Sequence, residues 1–226
     1  MRKIDKQNPP SSFTNYKKKT NPDDHTYKPT YIGLDKEVKV DLGKALLDEQ
    51  GWVCGYCQQK ISSRDKCKIE HHCEQCICNG ENGTQDKTLD YTNLLAVCYG
   101  DSGLNEKHCD SQKSDFSTSN GLPIEINPWV TAHMNAISYH SSGLVKSSRQ
   151  KHDGEINVIL NLNTERLKSL RAKKYVSFIK ISGDINVRKG KDKLRRLLES
   201  DLAIGNRKFS NAFPGMSEYM LKKFCS

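Results

Sequence analysis

The stretch Cys54-Gly55-Tyr56-Cys57 decides what the middle of this chain folds around. Two cysteines separated by two residues can share one Zn²⁺ at about 2.3 Å from each sulfur. The glycine between them suits the left-handed turn of such a knuckle. A tetrahedral site needs two more ligands, and Cys98 and Cys109 are the best pair because each ends a short segment that would lie beside the knuckle. The sequence therefore predicts one structural zinc site made by these two pairs.

The chain has nine cysteines, an odd number, and no apolar segment of a secretory signal follows its first residues. Metal binding in a reducing compartment explains this better than a disulfide framework. No run of about 18 apolar residues predicts a membrane helix, so we expect a cytoplasmic protein without membrane contact. A second metal and a cysteine-rich insertion with reduced thiols remain open alternatives for Cys67, Cys73, Cys76 and Cys78.

Residues 35–50, which precede the knuckle, have the pattern of a helix. Asp35 is a candidate N-cap, and Val38, Leu42 and Leu46 recur at helical spacing. Gly51 follows the last apolar position, where helices commonly end. The pattern predicts a helix that leads directly into the zinc site.

Three more motifs follow the knuckle in order. They are Glu70-His71 at the end of a predicted strand, Asn93-Leu94 with Cys98 after it, and Cys109-Asp110 with Lys113 after it. The order Cys-x-x-Cys, Glu-His, Asn-Leu-x-x-x-Cys, Cys-Asp-x-x-Lys resembles the zinc-stapled HNH endonucleases. A lone Glu-His pair would be weak evidence, but four motifs in this order within about sixty residues are specific.

The resemblance extends beyond these motifs to the PtuB nucleases of Septu antiphage systems, which also occur with certain retrons. It covers an arm with Pro9-Pro10, the segments 89–95 and 108–113, a hairpin at Gly143, and the segment 160–163. Membership of this family implies a PtuA-type ATPase as a partner and a phage nucleic acid, DNA or RNA, as the substrate.

The resemblance implies a role for each polar residue of the motifs. His71 would be the general base, since a neutral imidazole can accept a proton near pH 7. Glu70 and Asp110 would hold one catalytic Mg²⁺ or Mn²⁺, because hard cations prefer oxygen ligands. Asn93 would orient the His71 imidazole by a hydrogen bond. Lys113 would contact a substrate phosphate, or alternatively form a salt bridge within the fold.

The chain departs from the family pattern at three points. Asp110 stands where His or Asn is usual, which changes the charge at the cation. His72 follows His71 directly, so a shift of one residue would exchange the base and its neighbour. His108 could be a zinc ligand, an acid for the leaving group, or neither.

Charge is unevenly distributed along the chain, whose net charge is +9. Residues 41–145 carry 8 Lys and Arg against 14 Asp and Glu, whereas residues 146–200 carry 15 against 6. A polymer of phosphates would be held by the basic flank. The residues we expect to contact it are Lys173, Lys174, Arg195 and Arg196. A solvated basic helix surface is the alternative.

The predicted fold class is α+β, with a zinc-stapled ββα-metal core. Residues 1–34 would form an extended N-terminal arm, residues 35–120 the HNH nuclease core, and residues 121–226 a hairpin and a basic, mainly helical region. In the last part we predict strands at 136–139 and 144–145 and a strand or buried segment at 156–162. We predict helices at 164–182 and 191–202.

The predicted function is hydrolysis of phosphodiester bonds by an HNH endonuclease, most simply in DNA. Three alternatives remain open at this point. The first is the same nuclease acting on RNA such as a tRNA, since the motif determines the reaction and not the sugar. The second is a non-catalytic zinc module that binds nucleic acid. The third is a stand-alone restriction or homing endonuclease, for which the downstream region lacks an obvious recognition motif.

Overall fold

The chain folds into a mixture of α-helices and short β-strands, with helices in the majority. The computed structural model describes residues 1–81, 85–100, 106–120, 124–205, 207–209 and 211–225. The helices within these ranges are α1 (Ser11–Tyr16), α2 (Lys36–Gln50), α3 (Asp110–Asn120), α4 (Thr131–Asn135), α5 (Gln150–Gly154), α6 (Glu165–Ser182), α7 (Arg188–Leu202) and α8 (Pro214–Cys225). The strands form three antiparallel pairs: β1 (Lys68–His71) with β2 (Leu94–Val97), β3 (Ile137–Tyr139) with β4 (Val145–Ser147), and β5 (Ile204–Gly205) with β6 (Lys208–Phe209).

Helix α2 confirms the prediction for residues 35–50. Its apolar positions, among them Val38 and Leu42, are buried on one side, as a helix on a core requires. Gly51 ends the helix in the left-handed conformation, at φ 69°. Asp35 is the N-cap residue, but its carboxylate pairs with Lys19 at 2.6 Å and makes no capping hydrogen bond.

The middle of the chain contains two antiparallel strands followed by a helix. Glu70 on β1 lies opposite Leu95 on β2, and His71 lies opposite Leu94. All four residues of β2 are buried, and α2 packs against this strand. Helix α3 begins at Asp110, directly after the last predicted zinc ligand. The predicted site residues of the core therefore lie at the ends of these three elements.

The predicted hairpin is present as β3 and β4, with Gly143 in the turn at φ 82°. Arg171 of α6 holds this turn in place through hydrogen bonds. Its guanidinium donates to the carbonyl of Gly143 at 2.6 Å and to that of Leu162 at 2.7 Å. Arg171 is only 2 % exposed, so its guanidinium has lost its contacts with water. The two carbonyl groups provide hydrogen bonds in their place.

The apolar run 156–162 is not a strand, and it is buried only in part, since Val158 is 52 % exposed. It starts as a π-helical turn over Glu155–Ile159 and continues through the buried side chains of Leu160 and Leu162. Helix α6 then begins where we predicted, because the Thr164 side chain accepts a hydrogen bond from the backbone N–H of Leu167. Its end at Ser182 also agrees with the prediction.

Helices α6, α7 and α8 pack together around one buried carboxylate. Asp201 accepts hydrogen bonds from Lys174 at 2.6 Å, Ser217 at 2.6 Å and Asn211 at 2.8 Å. The basic helix that we predicted from Lys191 starts earlier, as α7. Helix α8, which our sequence analysis did not predict, completes this group.

The segment of residues 1–34, which we predicted to be an extended N-terminal arm, packs on the body of the protein and includes the short helix α1. Phe13 and Tyr16 of α1 are 0 % and 2 % exposed. Lys6 bonds Glu49 of α2 and, at 2.7 Å, the carbonyl of Leu94. The segment has too few apolar groups to fold alone, yet its isolated aromatic residues find partners in the core.

No helix in the described part of the chain is both long enough and apolar enough to cross a membrane.

We predict opposite effects of alanine at two glycines. Gly143→Ala would place a methyl group 1.9 Å from the Lys168 carbonyl at a positive φ, and should cost about 2–4 kcal/mol of unfolding free energy. Gly154→Ala is the control, because it lies in helical backbone with nothing within 4 Å of the new methyl group. It should stabilise by about 0.5–1 kcal/mol. Urea denaturation measures both, and equal effects would contradict the turn geometry.

Candidate metal centre and active site

Four cysteine sulfurs converge at one point, as the sequence predicted. Their Sγ atoms all lie within 4.8 Å of one another, and the residues are Cys54, Cys57, Cys98 and Cys109. Three of the sulfur–sulfur distances are 3.7, 3.8 and 4.0 Å. Four sulfurs bound at about 2.3 Å to a tetrahedral ion lie about 3.8 Å apart. The cluster therefore has the size and ligand chemistry to hold a zinc ion.

The backbone around the knuckle differs in one detail from the prediction. The left-handed residue is Gln58, at φ 64°, and not Gly55. Gly55 serves close packing instead, because a methyl group on it would lie 3.3 Å from the Leu95 side chain and 3.4 Å from that of Gln50. The Gly55 N–H donates to the Ala96 carbonyl at 3.0 Å, so the knuckle is tied to β2.

Gln50, at the end of α2, joins the helix to the strand and to the knuckle. Its buried amide nitrogen donates to the carbonyls of Val53 and Ala96, at 3.0 and 2.7 Å, and its oxygen accepts from the Ala96 N–H at 2.8 Å. On the other side of the cluster, the Cys109 N–H donates to the Leu160 carbonyl at 2.8 Å. Neighbouring parts of the fold thus hold the cysteines in place.

The pKa values of the cysteine thiols are shifted in opposite directions. Burial raises the pKa of Cys57 and of Cys109, whereas hydrogen bonds from the neighbouring thiols, Cys109 first, lower the pKa of Cys98. Of these three thiols, Cys98 therefore loses its proton most readily. Zinc binds thiolates, so its binding would release protons from the thiols that still carry them.

The other candidates around the zinc site have different surroundings. His108 is buried and places Nδ1 3.1 Å from the Cys109 sulfur, so it contacts a ligand atom of the cluster. Cys73 and Cys78 form a disulfide, and Cys76 is exposed. Cys67 is a buried free thiol. Of the described residues, none of these four cysteines belongs to a group that could hold a second metal.

Glu70 lies in a buried cluster of charges at the end of β1. Its side chain accepts a hydrogen bond from the Lys113 ammonium at 2.5 Å, and Lys113 also donates to the backbone carbonyls of His71 and His72, at 2.9 and 3.1 Å. Lys113 is 1 % exposed. In this arrangement it has the salt-bridge role that we named as its alternative, and it lies too deep to contact a substrate phosphate.

The carboxyl groups of Glu70 and Asp110 lie close enough to shift the pKa of each other. Burial raises the pKa of Glu70 to about 8; the Lys113 ammonium opposes this shift and the Asp110 carboxylate adds to it. Burial would also raise the pKa of Asp110, but its bonds to Glu70 and Lys68 lower it below the ordinary value. Of the two carboxyl groups, Glu70 therefore binds a proton more readily than Asp110 does.

The His71 imidazole has a defined tautomer. Its Nε2 lies 2.9 Å from the carbonyl oxygen of Thr88, which can only accept, so the proton of the neutral ring is on Nε2 and the lone pair is on Nδ1. Burial lowers the pKa of His71, which keeps the ring neutral near pH 7. The Tyr31 ring meets the imidazole at 84°, with 4.4 Å between the centroids.

The hydrogen bond that we predicted between Asn93 and His71 is wrong. Among the described residues, the Asn93 amide bonds the backbone N–H and carbonyl of Cys73, at 2.8 and 2.9 Å, and the carbonyl of Lys87 at 3.1 Å. Asn93 therefore clamps both ends of the loop between β1 and β2. Since Lys87 precedes Thr88, the clamp acts on His71 only through the backbone.

The His72 side chain is bonded to a different part of the fold. Its Nε2 bonds the carbonyl of Ile126 at 3.0 Å, and its ring packs on Trp129. His72 and His71 are similarly buried, at 7 % and 4 % exposed, so the two histidines differ in their partners and not in their burial.

The four basic residues predicted to contact nucleic acid are not equivalent. Lys173 and Arg196 are exposed on α6 and α7. Arg195 is also exposed, but its guanidinium donates to the carbonyl of Cys225 at the end of α8. Lys174 is committed to its ion pair with Asp201 and is not available to a phosphate.

A second group of donor atoms, in Glu125, His133 and His152, also lies within 4.8 Å. Hydrogen bonds occupy several of these atoms. The Asn127 N–H donates to Nδ1 of His133 at 3.1 Å, and Glu125 bonds both His152 and Lys151. This group therefore has a sufficient role in joining α4 to α5.

No protein-family model matches the chain, and no curated protein is significantly similar to it.

Two contacts of the site had no signal in the sequence. Thr88 acts through its backbone carbonyl, which every residue type possesses. Tyr31 is forty residues from His71 in the chain, and only the folding of the N-terminal segment brings it to the imidazole. Gln50, by contrast, was visible as a polar residue at the buried end of a predicted helix.

We predict that Cys57 is required for the fold and that Cys225 is not. Cys57→Ser should remove one ligand, reduce bound zinc from one ion per chain to none, and abolish cooperative unfolding. Cys225→Ser is the matched control: this buried thiol lies outside the cluster, 3.9 Å from the Lys191 carbonyl, so serine should change stability by about 1 kcal/mol or less. Elemental analysis and thermal unfolding measure both. A wild-type protein that is stable without zinc would contradict the prediction.

Proposed function

We propose that this protein is a metal-dependent HNH-type endonuclease that hydrolyses phosphodiester bonds in nucleic acid. The observation that carries the proposal is the His71 imidazole, whose bond to the Thr88 carbonyl directs the lone pair to Nδ1. The Asp110 carboxylate is close enough to raise the pKa of this imidazole, and the Glu70 carboxyl group is close enough to Asp110 to shift its pKa in turn. A neutral base together with two carboxyl groups that can serve as oxygen ligands is the combination that phosphodiester hydrolysis needs.

The reaction would use these groups as follows. Nδ1 of His71 takes a proton from a water molecule, whose oxygen attacks the phosphorus atom. The bond from phosphorus to the leaving sugar oxygen breaks, and that oxygen takes up a proton from solvent. Glu70 and Asp110 would hold Mg²⁺ or Mn²⁺, and a cation bound there would neutralise the charge that develops on the phosphate.

Zinc would have a separate, structural role. The four cysteines leave no open position on a tetrahedral ion, and closed sites of this kind stabilise folds rather than catalyse reactions. The zinc site would hold the start of α3, and with it Asp110, next to β1.

The motifs that resemble the PtuB nucleases support a more specific proposal. The protein would be the nuclease of a Septu-type antiviral complex, act with a PtuA-type ATPase, and cleave DNA. This part rests on the order and spacing of the motifs alone. Copurification with the product of a neighbouring ATPase gene, followed by Mg²⁺-dependent cleavage assays on plasmid DNA and on total RNA, tests the partner and the substrate together.

One observation favours a second candidate, a non-catalytic zinc module that binds nucleic acid. Glu70 is 7 % exposed and already paired with a buried ammonium, as expected of a purely structural ion pair. This candidate predicts binding without cleavage.

We predict that His71→Gln abolishes cleavage and that His72→Gln does not. Glutamine can still donate a hydrogen bond to the carbonyl that each histidine contacts, Thr88 or Ile126, so both variants should fold. Only His71→Gln loses the base, which should lower the rate by about 10²–10⁴-fold with little change in binding. Gel assays of supercoiled plasmid measure the rate.

Asp110→Asn tests the cation separately. It should be inactive in Mg²⁺ and partly rescued by Mn²⁺, whereas His71→Gln should not be rescued. Asp110 suits this test better than Glu70, because removal of Glu70 would take away the shorter of the two ion pairs of the buried Lys113 ammonium. Full activity of His71→Gln in either metal would refute the HNH mechanism and leave the binding module.

We also predict that Arg196→Glu weakens nucleic-acid binding. Loss of one phosphate contact should reduce the slope of log affinity against log salt by about 1. Lys44→Glu makes the same change of charge at an exposed residue of α2 and should leave the slope unaltered. Fluorescence anisotropy over a salt series measures both. If Arg196→Glu instead disrupts a complex with another protein and leaves the salt slope unchanged, the surface of α7 that bears Arg196 binds a partner protein.

A further inference from the structure

We propose that Tyr31 is a positioning residue for the His71 base, so that the N-terminal segment completes the nuclease site. The inference rests on the proposed function. It starts from the contact between the two rings, which meet edge to face with their centroids 4.4 Å apart. This is a preferred geometry for aromatic pairs, worth about 0.5–1.5 kcal/mol beyond the buried area.

The bond to Thr88 alone does not determine the orientation of the imidazole. A single hydrogen bond at Nε2 fixes one atom of the ring but allows the ring plane to tilt about that bond. The direction of the Nδ1 lone pair changes with the tilt. A second ring at 84° to the imidazole removes this freedom, because the His71 ring cannot tilt without losing the contact with Tyr31.

Tyr31 can restrict the imidazole because contacts with the core hold Tyr31 itself in place. The Tyr16 hydroxyl of α1 donates to the carbonyl of Thr30 at 2.8 Å, and the Leu34 N–H donates to the carbonyl of Tyr31 at 3.3 Å. Leu34 is 5 % exposed. The turn that carries Tyr31 is therefore fixed between a buried hydroxyl contact on one side and a buried leucine on the other.

The segment is in turn fixed to the strand pair that bears His71. Phe13 of α1 packs on Tyr91, with 6.5 Å between the ring centroids. Tyr91 belongs to the turn that leads into β2, and its hydroxyl bonds Glu49 of α2 at 2.9 Å. Contacts of α1 thus fix the N-terminal segment to α2 and to the turn that leads into β2, whose first residue, Leu94, pairs with His71.

The test compares Tyr31→Phe, Tyr31→Leu and Tyr27→Leu in the full-length protein. Tyr31→Leu should lower kcat roughly ten- to a hundredfold with KM unchanged, because the base is misdirected while substrate binding is intact. Tyr31→Phe keeps the ring and should stay within about threefold of wild type. Tyr27→Leu, at a residue 39 % exposed in the same segment, is the matched control and should be unaffected. Wild-type kcat in Tyr31→Leu, or an equal loss in Tyr31→Phe, overturns the proposal.

A second measurement does not depend on nuclease activity. The imidazole proton signals of His71, assigned by their loss in His71→Gln, should carry a ring-current shift from Tyr31. Tyr31→Leu should move them, while Tyr31→Phe and Tyr27→Leu should not. Unmoved signals in Tyr31→Leu overturn the positioning role. Moved signals together with full cleavage by His71→Gln show instead that the contact is real and that the proposed nuclease mechanism has failed.

Discussion

The convergence of four cysteine sulfurs is the constraint on which the rest of this structure depends. Two of them precede β1, one follows β2 and one precedes α3, so a single site touches every element of the strand–strand–helix unit. Four thiolates within 4.8 Å would repel one another, and a divalent cation converts that repulsion into attraction. Because each strand has only four residues, the unit has little hydrophobic core of its own. A bound metal ion would supply the stability that a larger core would otherwise provide.

The elements that sequence analysis predicted well are those whose signals are local. Helix α6 has a capping threonine and a long apolar repeat, and α2 ends at a glycine. The burial of Phe13 could not be read from the sequence, since an isolated aromatic residue gains its pocket only from distant elements. The apolar run 156–162 was ambiguous because short apolar stretches have no clear period.

Sequence analysis predicted which residues belong to the candidate site, but it did not predict which partners their side chains contact. Spacing placed the four cysteines correctly because metal geometry allows few alternatives. The motif placed Glu70 beside Asp110, but it did not predict that Lys113 would lie buried against Glu70. It assigned Asn93 to the imidazole, whereas the amide bonds the backbone at Cys73 and Lys87. Side chains often act on a reactive group through the backbone, and a linear pattern contains no information about that path.

The Asn93 clamp has an evolutionary consequence. One side chain holds both ends of the loop, at Cys73 and at Lys87, so the chain between them can change in length without disturbing the geometry at either end. Doubling the length of such a loop costs only about 0.6 kcal/mol in closure entropy. The interval is thus a tolerant place for insertions, where new recognition segments could be acquired a short distance from His71 while His71 itself stays in register.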